Sequence, residues 1–255
     1  MNARKLRITG SAEACFRITL LLLWGLVIIG CAREEIAADL EAPPAPEFVP
    51  RSADTALVEQ GIDTVPEGYY ISLSWLPPEA SDLAGYRLYR QAEDYVDSLP
   101  PEMIEELPLP ELGNTSMPDY LDNSSVLFSD SSAGFFYWVK AYDQSGNESG
   151  LSEEAYYKLL PKPISLSYSA FNDSLELTWD YTEALSQVNY FVVRLFEAGN
   201  DTAFWLQPFS QFSDFKVTYY DNLANGIYRF QVDVVGLPPL ERPSGSEAAL
   251  QFSIP

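Results

Sequence analysis

The chain has 255 residues, of which 47% are hydrophobic and 14% aromatic, and its 15 basic and 37 acidic side chains give a formal net charge of −22. A charge of this sign and size repels nucleic acid and anionic lipid surfaces, so we expect neither as a partner. The absence of histidine removes the usual general base and the usual zinc ligand. We therefore expect no catalytic residues, no cofactor and no metal, and interpret the chain as a non-enzyme.

The first 30 residues have the pattern of an export signal. Basic residues precede an uncharged stretch from Ile18 to Ala32, whose 15 residues are too few for a membrane-spanning helix. The stretch contains Ile28-Ile29-Gly30-Cys31, which resembles the lipobox of bacterial lipoproteins. The resemblance implies cleavage after Gly30, a diacylglycerol on the sulfur of Cys31 and a fatty acid such as palmitate on the new amine. An uncleaved or unlipidated signal is the alternative.

The mature chain would begin with a tether, residues 31–46, that is acidic and rich in proline. Ala32 is not the aspartate of the known inner-membrane retention signal. Arg33-Glu34-Glu35 resembles a signal for the outer face of the outer membrane, with chance charges on a solvated tether as the alternative. We therefore expect a lipid-anchored outer-membrane protein, periplasmic or surface-exposed, that contacts the membrane through its lipid anchor.

Residues 47–255 contain one strand pattern twice. Each copy has a strand of alternating apolar residues that ends in Trp75 or Trp179, and a second strand that begins eleven residues later, at Tyr86 or Tyr190. Another alternating strand closes each copy, and helical periodicity is almost absent. Many short strands separated by Pro, Gly and Asn predict an all-β sandwich. The two copies define domains at 47–160 and 161–255.

These residues resemble fibronectin type III modules. Trp75 and Trp179 match the core tryptophan of that family, Tyr86 and Tyr190 match its third-strand tyrosine, and the residues from Tyr228 to Val234 match its sixth strand. The resemblance implies two tandem immunoglobulin-like (fibronectin type III) β-sandwiches. Phe135 stands where the family has the tyrosine of the tyrosine corner, so we expect that hydroxyl–backbone bond only in the second domain, from Tyr228.

The first domain carries an insertion within residues 91–118. Prolines stand on both sides of Met103-Ile104-Glu105-Glu106-Leu107, and this pattern predicts one short helical turn on a long loop. A functional loop and a tolerated surface insertion explain it equally well.

Strand alternation in the first domain predicts an exposed aromatic and basic patch. If Tyr86 and Leu88 face the core, their neighbours along the strand face outward. The third and sixth strands are neighbours in the family, which brings five outward residues together: Trp138, Phe136, Tyr89, Arg87 and Lys140. Aromatic platforms stack on sugars, and Trp, Tyr and Arg dominate protein hot spots. The alternative is that the two cations only cover the rings by cation–π contact.

The second domain has an apolar counterpart. Phe191, Val193 and Leu195 alternate with Tyr190 and Val192, so they are predicted to face out of the sandwich. An apolar outer face is either covered by the other module or a docking site.

Acidic residues do not change this functional interpretation. Asp122, Asp143 and Asp221 fall at family turn positions, where a side-chain bond to the backbone is expected rather than calcium binding. Carboxylate catalysis would need a cleft, and no larger domain is present to shape one. We therefore expect a non-catalytic binding or scaffolding lipoprotein that engages an envelope protein, with polysaccharide binding through the aromatic patch as the alternative.

Overall fold

The computed structural model describes residues 39–49, 61–95, 99–112, 117–124, 127, 134–183, 185–237 and 243–255. The predicted export signal, Cys31 and half of the predicted tether lie outside these ranges. Within them, no helix has the length and apolar character needed to cross a bilayer. The unit Glu41–Pro255 contains two tandem β-sandwiches, and the predicted all-β fold is confirmed.

The first sandwich is built from eight strands of the described part of the chain. They are β1 (Glu47–Phe48), β2 (Ile62–Thr64), β3 (Ile71–Leu76), β4 (Leu83–Ala92), β5 (Glu102–Pro108), β6 (Asp119–Asp122), β7 (Phe135–Asp143) and β8 (Ala155–Leu159). In one sheet β3 pairs with β1, β2 and β6, and the other sheet has the order β5-β4-β7-β8. A 3₁₀ turn (Glu93–Tyr95) follows β4, and a short helix, α1 (Leu109–Leu112), follows β5.

Alternation along the strands builds the core between these sheets. In β3, Ile71, Leu73 and Trp75 are fully buried, while the serines between them are half-buried. Tyr86 of β4 meets Trp75 from the other sheet, edge to face, with ring centroids 5.3 Å apart. Each fully buried large side chain contributes about 1.5–3 kcal/mol to folding, so these residues hold the two sheets together.

The second sandwich repeats this arrangement with seven strands in the described residues. They are β9 (Ile164–Ala170), β10 (Leu175–Asp180), β11 (Val188–Glu197), β12 (Trp205–Phe209), β13 (Lys216–Tyr219), β14 (Gly226–Gly236) and β15 (Ser244–Ile254), with a 3₁₀ turn (Leu185–Gln187) before β11. One sheet has the order β13-β10-β9 and the other β12-β11-β14-β15. Trp179 of β10 is 2% exposed and lies at the centre of its core.

The outward direction predicted for Phe191, Val193 and Leu195 is wrong. All three are fully buried in the second core, and the ring of Phe191 lies 5.8 Å from that of Trp179. Tyr190 is only half-buried, so Phe191 takes the core position that the family resemblance had assigned to Tyr190. The pairing of β11 with β14 changes register near its start. A shift of one residue moves every following side chain to the opposite face.

The helical turn predicted for residues 103–107 is also wrong. These residues belong to β5, an antiparallel edge strand on β4, and the helix α1 begins only after Pro108. Met, Glu and Leu favour a helix locally, but a strand propensity depends on the neighbouring strand more than on the residue itself. The insertion therefore supplies the edge strand of this sheet, in the place that β12 takes in the second sandwich.

Backbone pairing joins the two sandwiches. The start of β15 pairs in parallel with the end of β8, with Ser244 opposite Lys158 and Gly245 opposite Leu159. The sheet β5-β4-β7-β8 of the first sandwich thereby continues into the sheet β15-β14-β11-β12 of the second, and together they form one sheet of eight strands. A Cβ atom at position 245 would overlap the backbone carbonyl oxygen of Val234 and lie 2.7 Å from the hydroxyl of Tyr157, so this position requires glycine.

Lys162 lies in the segment between β8 and β9 and ties it to the first sandwich. Its Nζ donates hydrogen bonds to the carbonyl oxygens of Val65 and Pro66, at 2.9 and 3.1 Å. Burial lowers the pKa of Lys162 from 10.5 to about 8, although the carboxylates of Glu247 and Glu67 act in the opposite direction. The connection between the sandwiches is thus held by side-chain as well as backbone bonds.

Candidate binding surface on the first sandwich

Four of the predicted binding residues form two cross-strand pairs on the sheet β5-β4-β7-β8. Tyr89 lies opposite Trp138, and Arg87 lies opposite Lys140. Directly opposed side chains project from the same face of a sheet. The residues between them along β4 and β7 are fully buried in the core, so both pairs face away from it. Together with Phe136 these residues are called the aromatic face.

Phe136 is not accessible, and the expectation of an open surface is wrong at this position. Its side chain is only 4% exposed. Tyr156 lies opposite it on β8, and the two ring centroids are 5.0 Å apart. Phe136 also stacks on Trp138 with a centroid distance of 6.1 Å. Phe136 therefore supports the half-buried Trp138 from within the surface instead of presenting a ring to solvent.

The two cations of the aromatic face are paired with carboxylates. Arg87 Nε lies 2.9 Å from Glu106, Lys140 Nζ lies 3.1 Å from Glu148, and Arg87 also pairs with Glu148. Hydrogen bonding to Glu106 raises the pKa of Arg87, and hydrogen bonding from Lys140 lowers the pKa of Glu148. The charge of the predicted basic patch is therefore neutralised by Glu106 of β5 and by Glu148, which follows β7.

Both cations also lie over aromatic rings. Lys140 Nζ is 5.6 Å from the ring centroid of Tyr89, and the guanidinium of Arg87 is 4.9 Å from that of Tyr142. These distances are those of cation–π contacts. They fit the alternative in which the cations cover the rings.

Met103 extends the aromatic face across a third strand, and the sequence analysis missed it. It lies opposite Tyr89 on β5 and is 50% exposed. Met103, Tyr89 and Trp138 thus form a row across β5, β4 and β7. The next row consists of Glu106, Arg87 and Lys140. Only a strand assignment for residues 103–107 would have revealed that the insertion contributes to this surface.

The three aspartates predicted at turns are confirmed in that role. Each accepts backbone N–H groups of residues that follow it closely: Ser124 on Asp122 at 3.1 Å, Ser145 and Asn147 on Asp143 at 2.9 and 2.8 Å, and Asn222 on Asp221 at 2.8 Å. Such bonds fix the turn conformation. They give these carboxylates a structural role.

Comparisons with known proteins bear on the fold alone. No family model and no curated protein matches the sequence. Among solved structures, the FN1–FN3 domains of chicken CNTN1 are 15% identical, with 84% of this chain and 68% of that chain covered and a TM-score of 0.35. A segment of two fibronectin type III domains from chicken tenascin is 14% identical, with 84% and 100% covered and a TM-score of 0.31. The sheet orders described above are those of two tandem fibronectin type III-like β-sandwiches.

Proposed function

We propose that this chain is a lipid-anchored, non-catalytic binding or scaffolding protein of the bacterial envelope that engages a protein partner through the aromatic face. The observation that carries the proposal is the row of Met103, Tyr89 and Trp138, whose side chains are all partly exposed. The ion pairs of Arg87 with Glu106 and of Lys140 with Glu148 border this row. An apolar centre with aromatic anchors inside a polar rim is the anatomy of a protein interface.

The charge arrangement favours a protein over a polysaccharide at this surface. Arg87 and Lys140 already have carboxylate partners, so they offer no free cation to an acidic glycan. Because Phe136 is buried, the platform left for stacking on sugar rings consists of Trp138 and Tyr89. Met103 adds a flexible apolar side chain of the kind that adapts to protein surfaces. Polysaccharide binding at this face remains the second candidate, supported by its two accessible rings.

Placement in the envelope rests on the lipobox-like sequence that ends at Cys31. Two or more acyl chains on one cysteine would make anchoring stable, since each buried methylene contributes about 0.8 kcal/mol. Labelling cells with a radioactive or clickable fatty acid tests this part directly. The wild-type chain is expected to carry label and to fractionate with outer membranes, and Cys31→Ser to lose both properties. Label retained on the Cys31→Ser variant would contradict the anchor.

The partner is tested with full-length protein immobilised in detergent and exposed to solubilised envelope from its host. Wild type, Trp138→Ala and Phe171→Ala are compared by quantitative mass spectrometry. Phe171 is the control because it is an aromatic of the second sandwich that is 60% exposed. Proteins captured by wild type and by Phe171→Ala are expected to be lost with Trp138→Ala, because truncating a hot spot costs about 2 kcal/mol or more.

Two results would count against this interface. Equal capture by all three proteins would place the partner elsewhere on the chain. A large loss of stability in Trp138→Ala with capture intact would show that Trp138 is only a structural cover for the sheet. A glycan array with the same three proteins tests the second candidate, since sugar binding at this face also requires Trp138.

A further inference from the structure

A groove of about 670 Å³ opens along one edge of the second sandwich. It lies between β12 and β13, the terminal strands of the two sheets, and no other strand of the described residues closes the gap between them. Six side chains carry the argument: Trp205, Gln207, Gln211, Thr218, Tyr219 and Tyr220. The groove is on a different sandwich from the aromatic face and is independent of it.

Gln207 occupies a position that the strand pattern reserves for an apolar residue. It lies directly opposite Val193 of β11, which is fully buried in the core, so its side chain projects toward the space between the sheets. Its neighbours on the same side of β12, Trp205 and Phe209, are both aromatic and pack on or within that core. A polar residue that breaks the local pattern is expected at functional sites.

The amide of Gln207 is available to a ligand. Its side chain is exposed, and it has no hydrogen-bond partner among the described residues. Gln211 is exposed and Thr218 half-buried, both line the groove, and neither side chain has a hydrogen-bond partner among the described residues. An amide offers two N–H donors and one carbonyl acceptor, and a hydroxyl offers one donor and two acceptor sites. The groove therefore presents several unused donors and acceptors close to one another.

Aromatic rings from both sheets form the wall of the groove. Trp205 of β12 and Tyr219 of β13 meet edge to face with centroids 5.5 Å apart, and both pack against the core. This contact across the opening fixes their orientation. Tyr220, which is 83% exposed, adds a third ring at the rim. Trp205 and Tyr219 are thus held in place, while Tyr220 is free to close on a bound molecule.

Charge and backbone chemistry narrow the class of ligand. The cation of the groove, Lys216, is shared between Glu176 at 3.4 Å and Asp214 at 3.9 Å, so it gives little attraction to an anion. The net charge of −22 repels acidic polymers as well. An extended peptide that added to β12 would meet Pro208, which has no N–H to donate to it. We propose that the groove binds a neutral oligosaccharide, with rings stacking on sugar faces and Gln207 bonding to hydroxyls.

Titration calorimetry with full-length protein in detergent tests this site. The probes are the neutral hexasaccharides of maltose, cellulose, chitin and β-mannan type, with an oligogalacturonate as the acidic comparison. Gln207→Leu restores the apolar pattern and is expected to keep or raise the melting temperature while weakening binding at least tenfold. Tyr220→Ala, at an exposed position, is expected to weaken binding without changing stability. Phe171→Ala, at an exposed aromatic of the same sandwich outside the groove, is the matched control and is expected to bind like wild type.

Four outcomes would overturn the proposal. They are no binding of any neutral probe at millimolar concentration, binding that both Gln207→Leu and Tyr220→Ala leave unchanged, binding of the acidic probe alone, and loss of binding only in Phe171→Ala. A peptide-library selection is a further test. Extended peptides that bind the wild type and not Gln207→Leu would show that the ligand is a peptide and not a sugar. None of these results depends on whether a protein partner occupies the aromatic face.

Discussion

The hydroxyl of Tyr137 donates a 2.8 Å hydrogen bond to the carboxylate of Asp122 in the interior of the first sandwich. Arg90 lies 2.7 Å from the same carboxylate oxygen. In the second sandwich the corresponding loop is held by Tyr228, whose hydroxyl donates to the carbonyl of Ala224 at 2.9 Å. The first sandwich has no such hydroxyl at Phe135, so a buried side-chain network replaces the backbone bond of the tyrosine corner.

Removal of Asp122 is expected to destabilise the first sandwich strongly. Asp122 is 2% exposed and Arg90 is 11% exposed, so Asp122→Ala would leave a nearly buried cation without its partner. Breaking one side of a buried pair costs about 3–5 kcal/mol. Urea denaturation measures the loss, with Asp119→Ala, an exposed position on the same strand, as the control. A loss below about 1 kcal/mol would show that the network contributes little.

Tyr228→Phe is expected to destabilise the second sandwich by about 1 kcal/mol. The change removes one hydrogen bond to a backbone carbonyl and leaves the packing of the ring intact. Tyr220→Phe is the matched control, since that side chain is 83% exposed. Thermal denaturation of both variants checks the prediction. Equal melting temperatures for the two variants would mean that the tyrosine corner has no energetic role here.

The core tryptophans are expected to act on their own sandwiches. Trp75→Ala and Trp179→Ala should each cost about 3–5 kcal/mol, because burial is lost and a cavity remains. Among the described residues, two residue pairs join the sheets of the two sandwiches, so calorimetry should show two transitions, of which each variant lowers one. Hydrogen exchange assigns each transition to a sandwich. An effect of either substitution on both transitions equally would show that the junction couples the two cores.

Stability is expected to rise with pH above about 8 because of Lys162. Burial lowers the pKa of Lys162 from 10.5 to about 8, so between these values the unfolded chain binds a proton that the folded chain does not. The free energy of unfolding therefore increases with pH in this window and is constant below it. A neutral amine keeps two N–H groups, enough for its bonds to Val65 and Pro66.

Urea denaturation between about pH 7.5 and about pH 9 measures this effect, because tyrosine side chains with a pKa near 10 are still largely protonated in this range. Lys162→Met is expected to flatten the rise, and Lys216→Met, at an exposed lysine, is expected to leave it unchanged. A rise of the same size in all three proteins would assign it to other groups.

The repeated Trp and the alternating strands were sufficient to predict two β-sandwiches, because every second side chain of a strand faces the core and is apolar. The orientation of β11 was not predictable in this way. The alternation of its core residues starts at Phe191, one residue later than the tyrosine match suggested, because the preceding loop differs in length and the pairing shifts near Tyr190. Counting residues from Trp179 cannot detect a shift that only the partner strand creates.

Both candidate sites depend on pairings between distant residues. Met103 joined the aromatic face only when residues 103–107 paired with β4, against their local helical pattern. Gln207 gained significance from its position opposite Val193, since an isolated glutamine in a loop-rich stretch carries no signal. In contrast, the outward direction of Tyr89 and Trp138 was predicted from alternation, because both lie in long strands whose core residues are unambiguous. The prediction that they lie together came from the family resemblance.

Photo-crosslinking in living cells tests the central claim, a protein partner on the aromatic face, most directly. A benzoylphenylalanine replaces Trp138 in one strain and the exposed Phe171 of the second sandwich in another. Irradiation is expected to give one discrete adduct of higher mass from position 138 and none from position 171, because a specific partner covers only the aromatic face. No adduct from position 138, or the same adducts from both positions, would contradict a protein interface centred on Trp138.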